Sequence, residues 1–85
     1  MPIDNSKTVR IRYYALLREE RGVSAETIVT EAPTLAQLYN DIRTKHGLTL
    51  PQERMSVAVN DNFASWSDKI EDNDVIVFVP PVAGG

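Results

Sequence analysis

The residues of this sequence best suited to chemistry are its last six, Pro80-Pro81-Val82-Ala83-Gly84-Gly85. Two consecutive prolines cannot continue a sheet ladder and favour an extended path. Val82 and Ala83 add modest apolar anchors. Gly84 and Gly85 have no side chains and can pass through a channel too narrow for a β-carbon. What such a tail delivers is the carboxylate of Gly85. A carboxylate is inert until one of its oxygens becomes a leaving group, as in an anhydride with AMP. That anhydride is opened by a sulfur nucleophile to give a thiocarboxylate, or by an amine to give an amide. The sequence contains no cysteine, so no side-chain thiol is available to carry sulfur, and disulfides and thiolate zinc sites are excluded. A Gly-Gly ending by itself is equally a frayed terminus. Its weight comes from the proline pair and the apolar run that precede it.

Other residues compete for a role. Arg18 either pairs with a carboxylate of a partner or sits solvated on a helical turn. Phe78 lies out of step with Val75, Val77 and Val79. One of these two sets faces the core, and the other needs cover, so a partner interface is expected at Phe78. His46, the only histidine, suits the negative end of a helix better than a catalytic base. The acidic run Glu71-Asp72-Asn73-Asp74 lacks the spacing of a calcium loop and has the composition of a turn, and no metal site is expected. Trp66 reads as a satellite of the core.

These residues need a scaffold, and the pattern of the chain supplies one. Val9, Ile11 and Tyr13 alternate with Arg10, Arg12 and Tyr14, which predicts a strand. Leu16 to Arg21 forms a short helical piece stopped by Gly22. Glu26 to Thr30 reads as a second strand. Thr34 and Gln37 match a capping box, ahead of an apolar stripe of Leu35, Leu38 and Ile42, with Gly47 as the stop. Met55, Val57 and Val59 give a third strand, Asn60-Asp61-Asn62 a turn, and Phe63 to Trp66 a short edge piece. Asn73 is expected at positive φ. Val75 to Val79 is a continuous apolar run and predicts a central strand parallel to the first. The expected architecture is α+β, a β-grasp: a mixed sheet of four to five strands with one main helix on one face. The expected organisation is a flexible segment over residues 1–7, a domain over 8–79 and a functional tail over 80–85.

Size and charge narrow the field further. A chain of 85 residues makes one small domain without a deep enclosed pocket, which disfavours a self-contained enzyme. A net charge of −3 argues against nucleic acid and anionic membranes, and suits a partner with a basic face. No signal peptide or membrane span is visible, so a cytoplasmic location is expected.

The segment Val75-Ile76-Val77-Phe78-Val79-Pro80-Pro81-Val82-Ala83-Gly84-Gly85 resembles the C-terminal signature of the molybdopterin synthase small subunit family. Arg12-Tyr13-Tyr14-Ala15-Leu16-Leu17-Arg18-Glu19 is similar to that family's first strand and following helical turn. Val57-Ala58-Val59-Asn60 is similar to its middle strand, and Asp72-Asn73-Asp74 to its Asp-Gly-Asp turn, with Asn73 in place of the glycine. The segment from Asn60 to Trp66 matches loosely. The resemblance implies a ubiquitin-like sulfur carrier that is not an enzyme on its own. It implies that Gly85 is adenylated by an activating enzyme similar to those of ubiquitin, using ATP, and is then thiocarboxylated from a sulfur donor. No cofactor bound by this chain is implied. The tail, Pro80 to Gly84, would thread into a large synthase subunit, within a heterotetramer, and give sulfur to a pterin precursor. Two alternatives stay open: a carrier for thiamine, cysteine or tRNA thiolation, and a protein modifier joined to lysines.

Overall fold

Alternating apolar and polar residues make Lys7–Tyr13 the first strand, β1, with Val9, Ile11 and Tyr13 buried and Thr8, Arg10 and Arg12 exposed. The computed structural model describes residues 5–81, and β1 takes in Lys7, the last residue of the segment expected to be flexible, by pairing it with Thr30. At Ala15 the backbone turns through φ 51° into the first helix, α1, Ala15–Arg21. Gly22, at φ 85°, ends it by donating its N–H to the Arg18 carbonyl. The second strand, β2, Ala25–Thr30, returns antiparallel to β1.

The main helix, α2, spans Leu35–His46. Thr34 Oγ1 accepts from the Gln37 N–H at 3.3 Å. Only half of the expected capping box forms, because the Gln37 side chain reaches forward to Asp41 at 2.8 Å instead of back to the cap. Gly47 closes the helix at φ 66°. A 3-10 turn, Gln52–Arg54, leads into β3, Ser56–Val59. Asn60 and Asp61, at φ 51° and 73°, form a two-residue hairpin loop into β4, Asn62–Ala64. The returning strand therefore starts and stops earlier than the expected edge piece from Phe63 to Trp66.

The last strand, β5, is Val75–Val79, and the sheet order is β2-β1-β5-β3-β4. β5 is central, parallel to β1 and antiparallel to β3, and the arrangement is the expected β-grasp. The Asp72-Asn73-Asp74 turn fixes the parallel register. Thr8 donates its N–H to the Asp72 carboxylate at 2.7 Å, and Asn73, at φ 71°, donates its N–H back to the Thr8 carbonyl at 2.7 Å. The Asp74 carboxylate, nearly buried, accepts from the Asn60 amide at 3.0 Å and from the Glu71 N–H at 2.9 Å. Both carboxylates thus complete turns.

One face of the sheet meets α2 and the long connections. Tyr39 and Phe78 meet edge to face at 5.0 Å, and Trp66 stacks on Phe78 at 6.0 Å, as a satellite of the core. Tyr39 also donates its hydroxyl to the Leu50 carbonyl at 2.6 Å. Phe78 is 0% exposed, which overturns its expected role at a partner interface. Its phase in β5 is set by its neighbours: it lies between Tyr13 of β1 and Val57 of β3, both buried.

Candidate functional site

The phase of β5 decides what the opposite face presents. With Ile76 and Phe78 buried, Val75, Val77 and Val79 line the outer face and are half-buried. Cross-strand register puts Ala58 beside Val77 and Phe63 beside Ala58. Phe63 is 79% exposed, the largest exposure of any large apolar side chain among the described residues. The stripe Val77-Ala58-Phe63 is the uncovered apolar surface that had been expected around Phe78. The sequence carried a usable signal for Phe63: an aromatic residue directly after a tight polar turn, in a strand too short to bury both of its faces.

The charge of this face is not that of the whole chain. Arg10 and Arg12 stand exposed on the outer side of β1, next to Val75 and Val77. Arg54 joins the valine stripe where β5 ends. Glu53 and Asp61 border the same face, so its charge is mixed. The outer face offers apolar contact rimmed by guanidinium groups and carboxylates in turn.

The chain leaves the sheet at Val79. Pro80 is half-buried and Pro81 is exposed, next to a shallow hollow of about 400 Å³ formed with Glu53, Arg54, Met55, Ser56 and Phe63. Proline has no N–H to donate, so neither residue can extend the ladder with β3. Val82, Ala83, Gly84 and Gly85 lie outside the described residues. Parallel pairing brings the C-terminal ends of β1 and β5 to the same end of the sheet. Tyr14, Leu16 and Arg18 of the adjoining α1 segment are therefore exposed at the end where the tail departs. Arg18 is exposed, whereas Phe78, at the same end of β5, faces the core.

α1 is pinned so that this end is well defined. Leu17 is fully buried. Arg21 grips Glu26 with two hydrogen bonds, at 2.7 and 3.0 Å, and Tyr13 donates its hydroxyl to the same carboxylate at 2.5 Å. The Arg21 guanidinium holds the Glu26 carboxyl below its usual range, and burial followed by the carboxylate pushes the Tyr13 phenol upward. At the helix end, Glu20 accepts from the Thr49 hydroxyl at 2.6 Å and from its N–H at 3.0 Å, which lowers the Glu20 pKa. His46 is held below its ordinary pKa, first by partial burial and then by nearby Arg21. None of these groups lines the tail exit. Among the described residues no cluster of acidic and histidine side chains is placed to hold a metal ion.

The family description "ThiS family" matches this chain over residues 11–85, which includes the whole of the tail. The molybdopterin synthase sulfur carrier subunit of Escherichia coli (strain K12) is 28% identical over 80 residues, covering 91% of this chain and 99% of that protein. A structure described as a putative molybdopterin converting factor, subunit 1, from Pyrococcus furiosus superposes with a TM-score of 0.73 at 27% identity, covering 89% of this chain and 99% of the other. A complex of subunits 1 and 2 of the molybdopterin-converting factor from Helicobacter pylori 26695 contains a chain that matches with a TM-score of 0.61 at 28% identity, covering 92% and 99%. With a β-grasp sheet whose central last strand runs out into Pro80-Pro81, and a family match that extends to Gly85, this chain belongs to the ThiS family.

Proposed function

We propose that this protein is a sulfur carrier that acts in molybdopterin synthesis, with the carboxylate of Gly85 as the carrying group. The observation that carries the reading is the exit of β5. A central strand ends in a proline pair beside an uncovered apolar face, in a chain whose family match runs through Gly84 and Gly85. Similarity to a molybdopterin synthase sulfur carrier subunit supports the choice of pathway. The complex of two subunits known for the Helicobacter pylori relative supports a larger partner subunit.

In the proposed cycle a Gly85 oxygen attacks the α-phosphate of ATP on an activating enzyme, and pyrophosphate leaves. Hydrosulfide from the sulfur donor then adds to the acyl carbon and AMP departs, leaving a thiocarboxylate. Transfer of that sulfur to the pterin precursor returns the Gly85 carboxylate once water has supplied the oxygen. This chain contributes no acid or base to these steps. Its share is delivery: Pro80 and Pro81 direct the tail away from the sheet, Val82 and Ala83 line the channel, and Gly84 lets the end through. The Val77-Ala58-Phe63 stripe, flanked by Arg10 and Arg12, is the docking face for the larger subunit, and Arg18, exposed on α1 after β1, is a further contact for it.

Intact mass after incubation with ATP, a sulfur source and the cognate activating enzyme tests the reading. A gain equal to exchange of one oxygen for sulfur, lost when the large subunit and pterin precursor are added, is the expected result. A gain that persists with them but discharges to a thiamine or cysteine precursor moves the protein to another sulfur pathway. Ladders of conjugates on lysines, with no thiocarboxylate, would make it a protein modifier.

A further inference from the structure

β2 is an edge strand without the usual guards. Among the described residues its one strand neighbour is β1. The hydrogen bond from the Tyr13 N–H to the Ser24 carbonyl sets the phase of the ladder, so Ala25, Thr27 and Val29 turn their own N–H and C=O groups away from β1. Natural edges are blunted by short length, lysine, proline or a bulge. β4, the opposite edge, has three residues. β2 has six, Ala-Glu-Thr-Ile-Val-Thr, and its single charge, Glu26, is already held by Arg21. Val29 is 68% exposed.

Beside this edge lies a groove of about 480 Å³ between β2 and α2. Ile28, Leu38, Ile42 and Ala32 give it an apolar floor. Its rim is polarised. Lys45 and His46 stand where β2 begins, beside Glu26, whose charge Arg21 offsets; Asp41 lies midway and Glu31 where β2 ends. Lys45 and Glu31 form no ion pair with each other or with another described residue.

We propose that the β2–α2 groove binds an extended peptide segment of a partner protein, added antiparallel to β2 as a further strand. Alternate aliphatic side chains of the peptide fill the floor, and its outer groups pair with Thr27 and Val29. The rim selects the charges: a basic residue entering at Glu31 and a carboxylate leaving at Lys45. A second copy of this chain fits less well. A two-fold axis through the middle of β2 would set Asp41, which lines the groove midway along α2, against its own copy. The groove and the Pro80-Pro81 exit lie toward opposite edges of the sheet. A partner can therefore hold the protein by β2 while the tail remains free, and this inference does not depend on what the tail carries.

The test is a titration of the isotope-labelled full-length protein with the blocked peptide Arg-Val-Ile-Val-Ile-Glu, followed by amide and methyl NMR. Saturable shifts are expected at the Thr27 and Val29 amides and at the Ile28, Leu38 and Ile42 methyls. Thr27→Pro removes an outward N–H and leaves the β1 ladder intact. Lys45→Glu reverses one rim charge. Each should weaken binding about tenfold with little change in melting temperature. Shifts confined to Phe63 and Val77, or affinity unchanged in both variants, would overturn the proposal. So would β2 shifts that depend on protein concentration without peptide, which would assign the edge to a second copy.

Discussion

Gly84 and Phe78 mark the two extremes of what a single side chain does in this protein. Among the described residues, the buried apolar side chains lie between Val9 and Phe78, so Gly84→Val should leave the melting temperature nearly unchanged. On the proposed function sulfur transfer should fall sharply, because a branched side chain would meet the walls of a channel that glycine passes. Binding to the large subunit should fall less. Melting, binding and single-turnover transfer on the one variant check this, and transfer at the wild-type rate would reduce Gly84 to a spacer. Phe78→Ala should behave in the opposite way. It removes the ring that Tyr39 and Trp66 pack on and should cost about 3–5 kcal/mol in chemical denaturation. Docking is better probed with Val77→Asp on the outer face. That variant should fold, and should lose most of its affinity for the large subunit in size-exclusion or calorimetry. Undiminished binding would move the docking face elsewhere.

The elements carry their own expectations, and they show how far the sequence could be read. Ala15 holds φ at 51°, a conformation that costs an L-residue roughly 1–2 kcal/mol. Ala15→Gly should therefore stabilise the protein by about 0.5–1 kcal/mol in urea unfolding, against the usual loss of about 1 kcal/mol for such a change inside a helix. Glu26 gives a pH signature. Its pKa is lowered by Arg21, so its stabilising effect is fully present above the ordinary glutamate range and is lost as pH falls through the depressed value. Glu26→Gln should be less stable at neutral pH, by about 2 kcal/mol, and should lose less on acidification than the wild type. Parallel acid melts of the two proteins would decide it. The helix stops Gly22 and Gly47, the cap Thr34 and the positive φ of Asn73 were legible because each is a local backbone requirement written in one residue type. The central position of β5 was legible from its unbroken apolar run. The same uniformity hid its phase, since five apolar residues in a row do not say which two face α2; Tyr13, Val57 and Trp66 decide that from distant parts of the chain. The β2–α2 groove was invisible for a similar reason: it belongs to neither element alone.

At the scale of the whole molecule, the first and last strands are neighbours. β5 pairs with β1 through Arg10–Val75 to Tyr13–Phe78, and without it the sheet order β2-β1-β5-β3-β4 separates into two hairpins that share no hydrogen bonds. Such long-range pairing slows folding, because loop closure comes before its reward. It also makes folding a form of proofreading. A chain broken off before Phe78 lacks the residue that Tyr39 and Trp66 clasp, and cannot reach the native state. It remains open to proteolysis. The native fold thus acts as a certificate of length. On the proposed function, an activating enzyme that grips the folded domain would meet only chains that carry their last strand, and would need to inspect only the final few residues itself.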